Sequence, residues 1–196
     1  MIFRRATGRD WPGILALQEA NLFENLDAGA RRDGFLSARF SAADFARMDH
    51  EAAVVVAEDA GRIVGYACSA TIASSQAVPI LAAMIATFQR ITFLGDVLAD
   101  SRVAIYGPVC VERAARGRGA FRGLIGKLKE ELAGCFDVAA AFIAKSNQRS
   151  LAAHVDGLGM TLVGDYEFEG KRFWIVAFGI PAADLACGLG PRFTQD

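Results

Sequence analysis

Residues 109–133 read VCVERAARGRGAFRGLIGKLKEELA. An apolar strand-like run ends at Val111, glycines follow at 117, 119 and 123, and Leu124, Ile125, Leu128 and Leu132 then recur on one side of a helix. Six basic residues and no acidic one lie between Arg113 and Lys129, although the 196-residue chain has a formal net charge of -1 at pH 7. The positive charge is therefore local. A helix opening near Gly117 leaves its first N–H groups without intrahelical partners and carries the positive end of the peptide dipoles. Gly117 and Gly119 let the main chain approach a ligand without a Cβ in the way. Arg116, Arg118 and Arg122 add charge and forked donors. Strand, glycine turn and helix start together predict a phosphate cradle.

Three kinds of cradle can be compared. A P-loop needs Gly-Lys-Ser/Thr, which the chain lacks. A dinucleotide fold needs G-x-G-x-x-G and an acid ending the next strand. The spacing of Gly117, Gly119 and Gly123 misses that pattern by one, and Asp137 opens its strand instead. This disfavours a nucleotide-binding oxidoreductase. The third kind fits. RGRGAF, Arg116 to Phe121, resembles the pyrophosphate-binding motif of the GNAT family of N-acetyltransferases, Arg/Gln-x-x-Gly-x-Gly/Ala. It matches at Arg116 and Gly119 and carries Phe121 in the last place. A second segment, NQRSLAAHVDGLGM, is similar to the family's late Asn-x-x-Ala/Ser-x-x-x-Tyr…Leu-Gly-Phe stretch. Asn147, Ser150 and His154 keep its spacing, with His154 where tyrosine is usual. The resemblance runs over about residues 1–180.

The resemblance implies an α/β fold: a central mixed sheet with helices on both faces, and acetyl-CoA (coenzyme A) as cofactor. The loop and helix start, Arg116, Gly117, Arg118, Gly119, Ala120, Phe121 and Arg122, would take the phosphates. The backbone of Val109, Cys110 and Val111 would pair with the pantetheine arm, and the sheet would splay at Gly107-Pro108. Asn147 would cap its helix and help hold the cofactor, and Ser150 would touch it. Cys110 would count for its main chain, because direct transfer to an amine needs no acyl-enzyme. His154 is the positional candidate for the acid that meets the departing thiolate. A histidine near its ordinary pKa of about 6.5 is only about one-quarter charged at pH 7, however, whereas tyrosine stays protonated. The base is left open between Tyr106, Glu112 and water. The activity so implied is acetyl transfer to a primary amine of a small molecule or peptide. A non-catalytic acyl-CoA sensor is the rival.

Composition bounds the rest. With 53% hydrophobic and 22% charged residues the chain has enough apolar matter for one domain over 1–180, followed by an extension at 181–196. A pI near 6.1 argues against a nucleic-acid or membrane-surface binder. No signal-peptide h-region opens the chain, and its most apolar window, residues 77–88, is too short to span a bilayer. Cys68, Cys110, Cys135 and Cys187 form no C-x-x-C pair and read as reduced thiols of a cytoplasmic protein. Two histidines far apart predict no metal site.

The expected order is strand, two helices, a hairpin at 52–71, an apolar helical insert at about 75–100, a strand, the basic helix, a strand, a short helix closed near Gly157, and a final hairpin. Asp10 should cap the first helix, and Ser41 with Asp44 the second. The insert should be core, and its length also suits an acceptor-pocket wall or a homodimer contact.

Overall fold

A computed structural model describes residues 1–31 and 34–182; the extension expected from 181 lies outside them beyond Ala182. The strands are β1 (Ile2–Arg5), β2 (Ala53–Asp59), β3 (Arg62–Thr71), β4 (Thr92–Phe93), β5 (Asp96–Val97), β6 (Val103–Val111), β7 (Val138–Ala144), β8 (Thr161–Phe168) and β9 (Lys171–Gly179). The helices are α1 (Trp11–Asn21), α2 (Ala28–Arg31), α3 (Ala42–Glu51), α4 (Ile72–Ser75), α5 (Pro79–Ile85), α6 (Ala120–Leu132) and α7 (Gln148–Leu158). Seven strands form one mixed sheet in the order β1-β2-β3-β6-β7-β9-β8. Only β6 and β7 run parallel, and they pair only from Val103–Ile105 to Val138–Ala140. Beyond Ile105 the two strands part.

Local chemistry explains the hairpins. Ala60-Gly61 and Glu169-Gly170 each hold two successive residues at positive φ, as a two-residue turn between right-twisted strands requires. Leu94-Gly95 does the same between β4 and β5, a hairpin inside the insert where the apolar run predicts helix alone. The parting of β6 and β7 also has a local cause. Pro108 has no N–H for a ladder, and the facing strand shifts register between Ala67 and Ser69.

Helices cover both faces. On one face α6 packs Leu124, Ile125, Leu128 and Leu132 against Val55, Ala57, Ala104 and Ala139. Full burial of one such leucine contributes about 2 kcal/mol. On the other, α1 and α3 seat Ile14, Leu17, Phe45 and Met48 on Val54, Val56, Tyr66 and Cys68. The insert closes the far half of that face with Met84, Phe88 and Leu98, none more than 1% exposed. It is core, as its composition predicts. Cys68 and Cys110 are buried free thiols. Cys135 is in a disulfide, so the reading of four reduced thiols fails there.

The capping box of α3 is complete: Asp44 N donates to Ser41 Oγ, and Ser41 N to the Asp44 carboxylate. Phe40 and Phe45 pack beside it, ring centres 6.0 Å apart. Asp10 stands at the N-cap of α1 but makes no capping bond. Its carboxylate is taken by Arg4, through both guanidinium nitrogens at 2.7 Å, and by the amide and hydroxyl of Thr7. A guanidinium competes successfully with a helix amide because both partners are charged. α7 runs past Gly157 and stops at Gly159, which takes the left-handed conformation.

Two glycines of α6 should respond oppositely to alanine. At Gly126 a Cβ meets nothing within 4 Å, so Gly126→Ala should gain about 0.5–1 kcal/mol from helix propensity. At Gly123 a Cβ would stand 2.1 Å from Phe3 Cζ, so Gly123→Ala should lose about 1–3 kcal/mol by displacing that ring. Urea unfolding of the two variants checks the pair.

Candidate active site

The loop between β6 and α6 carries the basic residues. Glu112 N donates to Val64 O at 2.8 Å, so the main-chain groups of Glu112, and of Cys110 two residues before it, face β3. Those of Val109 and Val111 face the other way, into the gap left by β7. The expected pairing surface is therefore Val109 and Val111. Cys110 has its main chain in the sheet, and burial pushes its thiol up to about 12 despite the nearby Arg116 guanidinium, so it is no nucleophile.

Each motif arginine makes a contact within the protein. Arg116 Nε donates to Val111 O at 3.0 Å, and its Nη2 reaches Asn21 Oδ1 at 3.3 Å, tying the loop to the end of α1. Arg122 Nη2 donates to Gly157 O at 2.8 Å, bridging α6 to α7. Arg118 pairs with Asp59 at 3.3 Å on the surface. The free donors are main-chain amides. Among the described residues, those of Gly117, Gly119, Ala120, Phe121 and Arg122 meet no acceptor. Gly117 (φ 75°) and Gly119 (φ 84°) are left-handed, and a Cβ at either would meet nothing within 4 Å.

These groups line a cavity of ≈ 390 Å³. Of the residues expected to bind or act, Val109, Cys110, Val111, Arg116, Gly117, Gly119, Ala120, Phe121, Arg122, Asn147, Ser150 and His154 all line it, and Arg118 does not. The cavity also takes in residues that sequence reasoning passed over. Arg149 lies between Asn147 and Ser150 in the motif segment and could have been found there. Asn21 and Leu36 are carried in by the α1–α2 region, with no local pattern to mark them. No residue of the insert lines this cavity, so the insert does not form its wall.

Asn147 caps α7 by accepting from Ser150 N at 3.0 Å. His154 is one turn further on and 5% exposed. Its Nδ1 lies 2.7 Å from Ser150 O. A carbonyl can only accept, so the ring proton sits on Nδ1. Nε2, 3.3 Å from Tyr106 Oη, is then the acceptor for the tyrosine hydroxyl. Burial lowers the histidine pKa, against a smaller upward pull from the Ser150 carbonyl. The neutral ring has no N–H directed at the cavity. This arrangement opposes the role of acid expected for His154. The Phe121 ring stands edge-on to it, centres 4.9 Å apart, so the residues in the two unusual places of the motifs touch each other.

A search of curated protein sequences found no match. A ribosomal-protein-alanine N-acetyltransferase from Brucella melitensis is similar in structure at 22% identity and a TM-score of 0.58, covering 91% of this chain and 99% of its own. The ribosomal-protein-S18-alanine N-acetyltransferase of Escherichia coli gives 14% and 0.58, covering 99% of each chain. A GNAT superfamily phosphinothricin acetyltransferase from Sinorhizobium meliloti, solved in complex with AcCoA, gives 18% and 0.56, with 91% and 88% covered. At such identities these likenesses establish the fold. A profile described as Acetyltransferase (GNAT) family matches residues 16–160, most of the chain and both motif segments. The chain belongs to the GNAT acetyltransferase family, whose cofactor is acetyl-CoA.

Proposed function

We propose that this protein moves the acetyl group of acetyl-CoA directly to a primary amine on a small molecule or a peptide. The observation that supports this best is the set of amides at Gly117, Gly119, Ala120, Phe121 and Arg122, unpaired and turned to one cavity. Such a nest at a helix start suits a diphosphate. Arg122 and Arg149 add charge to its lining, while Arg118, paired with Asp59, lies outside it. Across the cavity the outward main chain of Val109 and Val111 suits an amide-bearing arm, and Arg116 already occupies Val111 O, leaving Val109 as the better partner. Asn147 and Ser150 close the other wall. When bound, acetyl-CoA supplies an activated acetyl thioester. The residues of this chain bind, orient and shield it.

Both kinds of acceptor are represented by name among the structural neighbours, a protein alanine and phosphinothricin. Calorimetric titration with acetyl-CoA and with NADPH tests the binding site: the first should bind and the second should not. Thiol release over a panel of primary amines and alanine-led peptides then tests transfer. Tight acetyl-CoA binding with silence across the whole panel would favour the sensor reading.

A further inference from the structure

Coenzyme A carries a diphosphate and, on the ribose beyond it, a separate 3′-phosphate. The amide nest at the start of α6 suits the diphosphate and leaves the 3′-phosphate without a partner. Three arginines line the cavity, Arg116, Arg122 and Arg149, and no carboxylate is among its described lining residues. Two of the three brace the scaffold. Arg116 turns Nε to Val111 O and Nη2 to Asn21, on the β6 side. Arg122 gives Nη2 to Gly157 O. Arg149 stands on the α7 wall, at the second residue of that helix, and is exposed. Its backbone is fixed relative to the nest. Asn147 caps the first turn of α7 by accepting from Ser150 N at 3.0 Å, and the Arg122–Gly157 bond fastens the last turn to α6.

We infer that Arg149 receives the 3′-phosphate of coenzyme A, and that the protein thereby distinguishes the cofactor from its 3′-dephospho form; this rests on the acetyl-CoA reading of the cavity above. A phosphate monoester concentrates its charge on one group at the solvent side of the ligand. A guanidinium matches it with two parallel N–H···O bonds, which an isolated amide cannot do. The ribose separates this phosphate from the diphosphate. Its receptor must therefore be a long cationic side chain that lines the same cavity without belonging to the nest. Arg149 meets that requirement from the neighbouring helix. Arg118 does not line the cavity and is paired with Asp59 at 3.3 Å. Arg122 lies in the first turn of α6, within the nest itself. With no carboxylate in the described lining, nothing there repels the incoming phosphate.

Calorimetric titration with acetyl-CoA and with acetyl-3′-dephospho-CoA tests this in the wild type, Arg149→Ala and Arg149→Lys. At low salt the wild type should bind acetyl-CoA about 10–30-fold more tightly than the dephospho form. Arg149→Ala should bind the two ligands within about twofold of each other, through lost affinity for acetyl-CoA. Arg149→Lys keeps the charge without the fork, so its preference should fall between those of the other two. The wild-type preference should shrink as salt is raised, because an exposed guanidinium and a solvent-side phosphate are both screened. Equal affinity of the wild type for the two ligands overturns the assignment and leaves the diphosphate cradle standing. A full wild-type preference retained in Arg149→Ala overturns it too, and passes the 3′-phosphate to another group. Binding of neither ligand by the wild type overturns the assignment together with the cradle.

Discussion

Gly119→Val should weaken acetyl-CoA binding by at least about 100-fold and leave the protein folded. Gly119 precedes the first residue of α6 at φ 84°, a conformation that costs a side-chain-bearing residue about 1–2 kcal/mol. Gly119, Ala120 and Phe121 line the same cavity, and a branched side chain at Gly119 would add bulk to that lining beside their amides. Loss of two charge-assisted bonds to a diphosphate, at about 1.5–3 kcal/mol each, carries the affinity past that factor. Gly126→Ala on the same helix is the matched control, far from the amides and expected to bind normally. Calorimetry reads both. Wild-type affinity in Gly119→Val would remove the diphosphate cradle and the functional reading with it. This test is cleaner than charge reversal at Arg116 and Arg118. Arg116 braces Val111 O and Asn21, so reversing it would disturb the scaffold, and Arg118 lies outside the cavity lining.

Asp10→Ala should cost about 3 kcal/mol at pH 7, the largest stability loss expected from any single surface-proximal residue. The carboxylate is 7% exposed and accepts from Arg4 twice and from Thr7 twice, and Arg4 also holds Glu58 at 2.7 Å. Removing it leaves a part-buried guanidinium with one partner fewer and an orphaned Thr7 amide. The Arg4 guanidinium, more than the Thr7 amide and hydroxyl, lowers the Asp10 pKa to about 2 against the opposing effect of burial. The sign follows. Unfolded aspartate titrates near 3.9, so the stabilisation is complete above about pH 4 and is lost as pH falls toward 2. The gap between wild type and Asp10→Ala in urea unfolding should therefore narrow between pH 7 and pH 3. A gap under 1 kcal/mol at pH 7, or one independent of pH, contradicts this account.

Much of the fold was legible because its signals are local. The Ser41-x-x-Asp44 box, the two-residue turns ending in Gly61 and Gly170, and the leucine stripe of α6 each act within a few residues, and each forms as expected. Local signals failed where a competing charge took a capping group or where composition masked a turn. Asp10 left its cap for Arg4, and the Leu94-Gly95 turn was hidden in an apolar run whose composition reads as helix.

The candidate site divides along the same line. The unpaired amides at the start of α6 could be read from the sequence because they are backbone groups whose geometry depends only on glycine and a helix start. The proton chemistry could not. Whether His154 holds its proton or a lone pair toward Tyr106 depends on Ser150 O one turn away and on a strand 48 residues distant in the chain. Adjacent backbone carries its own geometry, whereas a side chain's protonation state belongs to whatever the fold packs around it. The first is therefore written in a few neighbouring residues, and the second in contacts between elements far apart in the chain.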